Sequence, residues 1–77
     1  MAGIVSDYIT IRYQEVERYD PQIDAEVVRL MAISNIGTWH METEQGKAGE
    51  LRAKRSLFRE FVESAAAKGQ RPCEVHL

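Results

Sequence analysis

Apolar side chains recur with helical spacing most clearly over residues 47–68. At about 100° per residue, Leu51, Phe58, Phe61, Val62 and Ala65 fall on one arc. Gly69 stands where a left-handed cap is favoured and Pro72 lies just beyond, so the pattern predicts a helix that stops there. Arg52, Arg55 and Arg59 line one edge of the apolar stripe and form the most ordered basic feature of the chain.

A second helix is expected over residues 21–36. Asp20 is placed to cap it, Pro21 suits its first position, and Gly37 supplies a stop. Its projection differs from that of the other helix. Ile23, Val27 and Leu30 share a face while Val28 and Ile33 point elsewhere, leaving the cylinder apolar nearly all round. Such a helix must be covered on more than one side, either by a sheet or by a second protein chain.

The ends carry weaker, strand-like patterns. Cys73, Val75 and Leu77 alternate with Glu74 and His76, as in a short half-buried strand. Residues 8–13 place Ile9, Ile11 and Tyr13 on one side of a strand, with a helix-like turn after it. Val5, Ile9, Tyr13 and Val16 also recur at helical spacing behind Ser6 or Asp7, which keeps a helix open for residues 4–19. Residues 38–43, with Trp39 and Met41 opposite His40 and Glu42, fit a third short strand or an irregular connection. The expected fold is a single α+β domain over 1–77, with two main helices, about 21–36 and 47–68, and short strands from the N- and C-terminal segments.

Composition narrows the function classes. A chain of 77 residues suits one domain of modest stability, which a metal or an associated chain commonly reinforces. One cysteine, Cys73, excludes an internal disulfide; with no basic residue in 1–5 and no apolar run near the ~20 residues of a membrane span, a cytoplasmic location is expected. Net charge is −2, unevenly spread. Residues 1–46 carry three basic against eight acidic side chains, a net of −5, and residues 47–77 carry seven against four, a net of +3. Neutralisation of one half by the other within the fold is the favoured reading, ahead of steering of an anionic partner.

The chemical inventory is sparse. His40, Glu42 and Glu44 share a face if extended, as a general base and its carboxylate partner must, yet no nucleophile or oxyanion-binding motif accompanies them. Cys73 and His76 have ligand-like spacing and His40 could join them, but a zinc site wants four ligands, and Cys73 reads more simply as a small buried hydrophobe. No catalytic residue, metal, cofactor or small-molecule substrate is therefore expected. The GKAG run at Gly46, Lys47, Ala48 and Gly49 opens the basic helix and offers amides and a lysine to a phosphate. The order strand, helix, GKAG, helix, strand resembles that of K-homology RNA-binding domains, in which such a loop clamps the nucleic-acid backbone. Here residues 38–45, Glu42 and Glu44 among them, separate the glycine stop from the loop, and the helix that follows is longer.

These observations favour a non-enzymatic protein-interaction module, an oligomer or a subunit of a larger assembly. Val28, Ile33 and Trp39 are the expected apolar contacts, Trp39 alternatively serving as a cap on the core, with Arg52, Arg55 and Arg59 as polar ones. Size and style suit a viral or phage component, structural or inhibiting a host protein, although no residue motif carries that origin. The alternative is a small nucleic-acid-binding regulator using Gly46, Lys47, Gly49, Arg52, Arg55 and Arg59.

Overall fold

The computed structural model describes residues 9–46 and 49–77. Three antiparallel strands, β1 (Ile11–Asp20), β2 (Ala25–Ser34) and β3 (Gly37–Glu44), form a sheet in the order β1-β2-β3, followed by one helix, α1 (Glu50–Ala67). This small α+β domain is dominated by its sheet. The expectation of two main helices is overturned, because residues 21–36 are a turn, the whole of β2 and the start of the next turn.

The signals at Asp20, Pro21 and Gly37 are chemically real but belong to turns. Asp20 Oδ1 accepts a hydrogen bond from the Gln22 amide at 3.0 Å, the same contact a helix cap makes, and here it begins the loop joining β1 to β2. Asp24 closes that loop at φ 50. Gly37 opens β3 at φ 133, and a Cβ there would lie 3.0 Å from Pro72 Cγ. Its role is to admit the C-terminal tail, not to end a helix.

β2 is apolar on both faces because it is the central strand. Alternation places Val28, Leu30 and Ala32 towards α1, and Val27, Met31 and Ile33 on the opposite face. The core lies between sheet and helix: Trp39 and Met41 from β3 meet Leu51, Phe58, Val62, Ala65 and Ala66 from α1, with Val75 of the tail and half-buried Ile11 and Tyr13 from β1. Phe61, expected in this stripe, is 37% exposed, and small Ala65 and Ala66 bring the last turns of the helix close instead.

α1 is slightly shorter than expected and ends as expected. Gly69 adopts φ 71, its amide bonds Ala66 O at 3.1 Å, and the Gln70 amide reaches Ala65 O at 2.9 Å, a left-handed cap closed by two hydrogen bonds. The C-terminal strand reduces to an isolated parallel bridge between Glu74 and His40. With so little pairing, alternation has no sheet to act on: Val75 is buried, whereas Cys73 is exposed and is not the buried hydrophobe expected. The helix-like turn expected after residue 13 is also replaced, since β1 continues to Asp20.

Candidate interaction surfaces on the sheet

The register defines the face that α1 leaves uncovered. Across it run Arg12, Ile33 and Thr38; Gln14, Met31 and His40; Val16, Arg29 and Glu42; and Arg18, Val27 and Glu44. Met31 and Ile33 are half-buried in its centre and Val16 is 42% exposed beside them. Val27 is only 6% exposed although it lies outside the core cluster. Beside it on the same face, Arg18 Nη2 reaches Glu42 Oε2 at 2.9 Å across β2.

Every basic residue of the chain's first half, Arg12, Arg18 and Arg29, lies on this face, and Glu42 and Glu44 oppose them from β3. The face is a mixed-charge rim around an apolar centre. That composition suits protein contact better than a phosphate backbone.

The sheet's two edges differ. Asn35 and Ile36 turn β2 into β3, and the pair Ser34 with Gly37 closes that hairpin. Outside the sheet, the His40 amide bonds Cys73 O at 3.2 Å and the Val75 amide bonds His40 O at 2.8 Å, so the even-numbered backbone groups of β3 point outward and the tail occupies one rung of them. Alternation along antiparallel ladders then turns the even residues of β2 towards β3 and its odd residues towards β1. On β1, Arg12, Gln14, Val16 and Arg18 bond inward, while the backbone groups of Tyr13, Glu15, Glu17 and Tyr19 point outward. Among the described residues, no strand pairs with that outer edge.

Above this edge lies one flank of α1. Arg55 grips Glu15 with two hydrogen bonds, Nε to Oε2 at 2.5 Å and Nη2 to Oε1 at 2.8 Å. This hydrogen bond raises the already high Arg55 pKa, with nearby Glu17 adding to it. Arg59 sits 4.3 Å from the centre of the Tyr13 ring. Together with Leu30 and Phe58, these residues line an open cleft of about 50 Å³. The Tyr13 hydroxyl is buried without a hydrogen-bonding partner among the described residues, and burial, more than the Glu63 charge, pushes its pKa up, with Arg59 opposing.

The residues expected at a site are thus scattered. Val28 and Trp39 are both 0% exposed and serve the chain's own core. Ile33 lies on the helix-free face, whereas Arg52, Arg55 and Arg59 belong to α1, the last two already engaged with β1. Lys47 falls outside the described residues. Gly46 and Gly49 take φ 66 and φ 94, which explains both glycines by the geometry of the β3–α1 connection. A Cβ at Gly46 would collide with a carboxylate oxygen of Glu50, so an acidic group already stands where a phosphate would approach. The strand–helix–GKAG order behind the K-homology resemblance is absent, since GKAG follows a strand.

His40, Glu42 and Glu44 do share the helix-free face, but Glu42 is held by Arg18 and His40 lies 3.7 Å from Glu74. Among the described residues, no group of three or more acidic, histidine or cysteine side chains is arranged to hold a metal ion, and no helix is long and apolar enough to cross a membrane. Sequence reasoning missed Val16, Met31 and the β1 edge. A projection at 180° per residue, which groups Met31 with Ile33 in one segment and Val16 with Arg12, Gln14 and Arg18 in the other, is the signal that finds the first two. No family model matches the chain, and no curated protein and no solved structure matches it.

Proposed function

We propose that this protein is a non-enzymatic interaction module that docks a protein partner on the helix-free face of its sheet. The observation that supports this reading is the apolar centre at Met31 and Ile33, flanked by exposed Val16 and rimmed by Arg12, Arg29, Thr38 and His40, on the side opposite the only helix among the described residues. An apolar centre within a polar rim is how specific protein contacts are built. The alternative of a nucleic-acid regulator gains less support, because Arg55 and Arg59 are committed to Glu15 and Tyr13 and the acidic Glu50 stands beside Gly46.

Affinity capture from extracts of the cells that make the protein tests this reading when three baits are compared. Wild type and Leu57→Glu, on the exposed side of α1, are expected to retain the same partner after nuclease treatment, and Met31→Glu to lose it while keeping its circular-dichroism spectrum. Retention by Met31→Glu, or loss on nuclease treatment, contradicts the proposal.

A further inference from the structure

The unequal edges of the sheet carry a second inference. The β3 edge is obstructed at its middle by the tail at Cys73–Val75, whereas the outward groups of β1 meet no strand among the described residues. An edge with this many outward backbone groups unpaired among the described residues is a template for another strand. We infer that β1 pairs antiparallel with β1 of a second copy, about a two-fold axis through Val16, to give a continuous six-stranded sheet.

The sequence of β1 selects both occupant and register. Centred on Val16, the pairing sets Arg12 against the partner's Asp20 at both ends, Gln14 against the partner's Arg18, and Val16 against the partner's Val16 on the helix-free face. On the helix side it sets Tyr13 against the partner's Tyr19. Opposite charges and paired aromatics directly across a ladder are stabilising. Other registers of the same parity do worse: centring on Glu15 opposes Glu15 with itself and Arg12 with Arg18, and centring on Glu17 opposes Glu17 with itself. Centring on Gln14 opposes no ion pair.

A like-charge pairing remains and occurs twice by symmetry, Glu15 against the partner's Glu17. It falls beneath Arg55, which already holds Glu15 and whose charge answers Glu17 as well. Exposed Val16 and Tyr19 each gain a cross-strand neighbour. Growth stops at two copies because the outer edges of the pair are β3 strands bearing the tail. The two-fold axis stands perpendicular to the sheet, so both helices lie on one side and the helix-free faces join into one surface. The dimer deepens the proposed function by doubling its docking face, yet it stands on the edge alone: loss of partner capture by Met31→Glu leaves pairing intact, and loss of pairing leaves each face in place.

Light scattering after size-exclusion chromatography, from micromolar to millimolar concentration, is expected to show a mass rising to twice that of the chain. Glu17→Pro removes an outward amide without touching the β1–β2 ladder, and is expected to remain monomeric with an unchanged circular-dichroism spectrum. Register is tested separately by cross-linking in a Cys73→Ser background. Val16→Cys places two thiols on a non-hydrogen-bonded pair, Cα atoms about 4.5 Å apart, within disulfide reach. Oxidised glutathione is expected to give a covalent dimer from Val16→Cys and at least tenfold less from Arg12→Cys. A wild-type monomer at every concentration, a dimer that survives in folded Glu17→Pro, or equal cross-linking at both positions overturns the inference.

Discussion

Single residues carry much of this fold through backbone constraint and unpaired polar atoms. Gly37 combines φ 133 with the close approach of Pro72, so Gly37→Ala is expected to destabilise by more than about 1 kcal/mol in chemical denaturation, with the tail released from β3. Tyr13 makes the opposite case. Its hydroxyl is buried without a partner among the described residues, while its ring supports Arg59, so Tyr13→Phe is expected to keep or gain stability near pH 7. Burial raises its pKa above the ordinary 10.0, so the folded chain holds this proton more tightly than the unfolded chain does. That contribution is complete below the unfolded value and is lost as pH rises through it towards the folded value. Urea titrations from pH 8 upward are expected to show a stability decline beginning near 10.0 and shallower in Tyr13→Phe. An identical decline in both proteins contradicts this account of Tyr13.

At the scale of elements, legibility depended on which periodicity a segment could mimic. α1 was readable because its charged and apolar positions separate at helical spacing and Gly69 marks its end. β2 was not, since a central strand apolar on both faces reads as a continuous apolar run that fits helix and strand alike. Its boundaries misled for a related reason: Asp20-Pro21 forms the same local hydrogen bond whether it caps a helix or starts a turn. In the sequence Trp39 reads as a cap on the core or as an interface anchor and Val28 as a contact for another chain, because the two sides of β2 and β3 separate only once register is known. The assigned register predicts an asymmetry within β1. Arg18→Pro removes an inward amide and is expected to lose about 1 kcal/mol or more relative to Glu17→Pro, whose amide points outward. Equal thermal midpoints for the two variants contradict that assignment.

For the whole molecule, the charge imbalance between its halves is met partly inside the fold. Arg55 of the basic half closes on Glu15 of the acidic half, which ties α1 to the edge strand. This pair is half exposed, so solvent screens it and its net contribution to stability is small. Its larger consequence is positional: α1 is held over β2 and β3 with an arginine flank above β1, and among the described residues no element covers the opposite sheet face or pairs with the β1 edge. Raising salt is expected to weaken association through loss of the Arg12 and Asp20 pairs more than it weakens folding, which rests on the apolar core. Light scattering and urea titration in low and high salt compare the two.

Residue-resolved amide hydrogen exchange along β1, at dilute and concentrated protein, tests the central claim most directly. Gln14, Val16 and Arg18 are expected to be protected at both concentrations, because their amides bond to β2. Tyr13, Glu15 and Glu17 are expected to exchange rapidly when dilute and to slow markedly when concentrated, as the edge is filled by a second copy. Rapid exchange of these three amides at every concentration, or protection without odd–even alternation in the dilute chain, would contradict an open edge that pairs with itself.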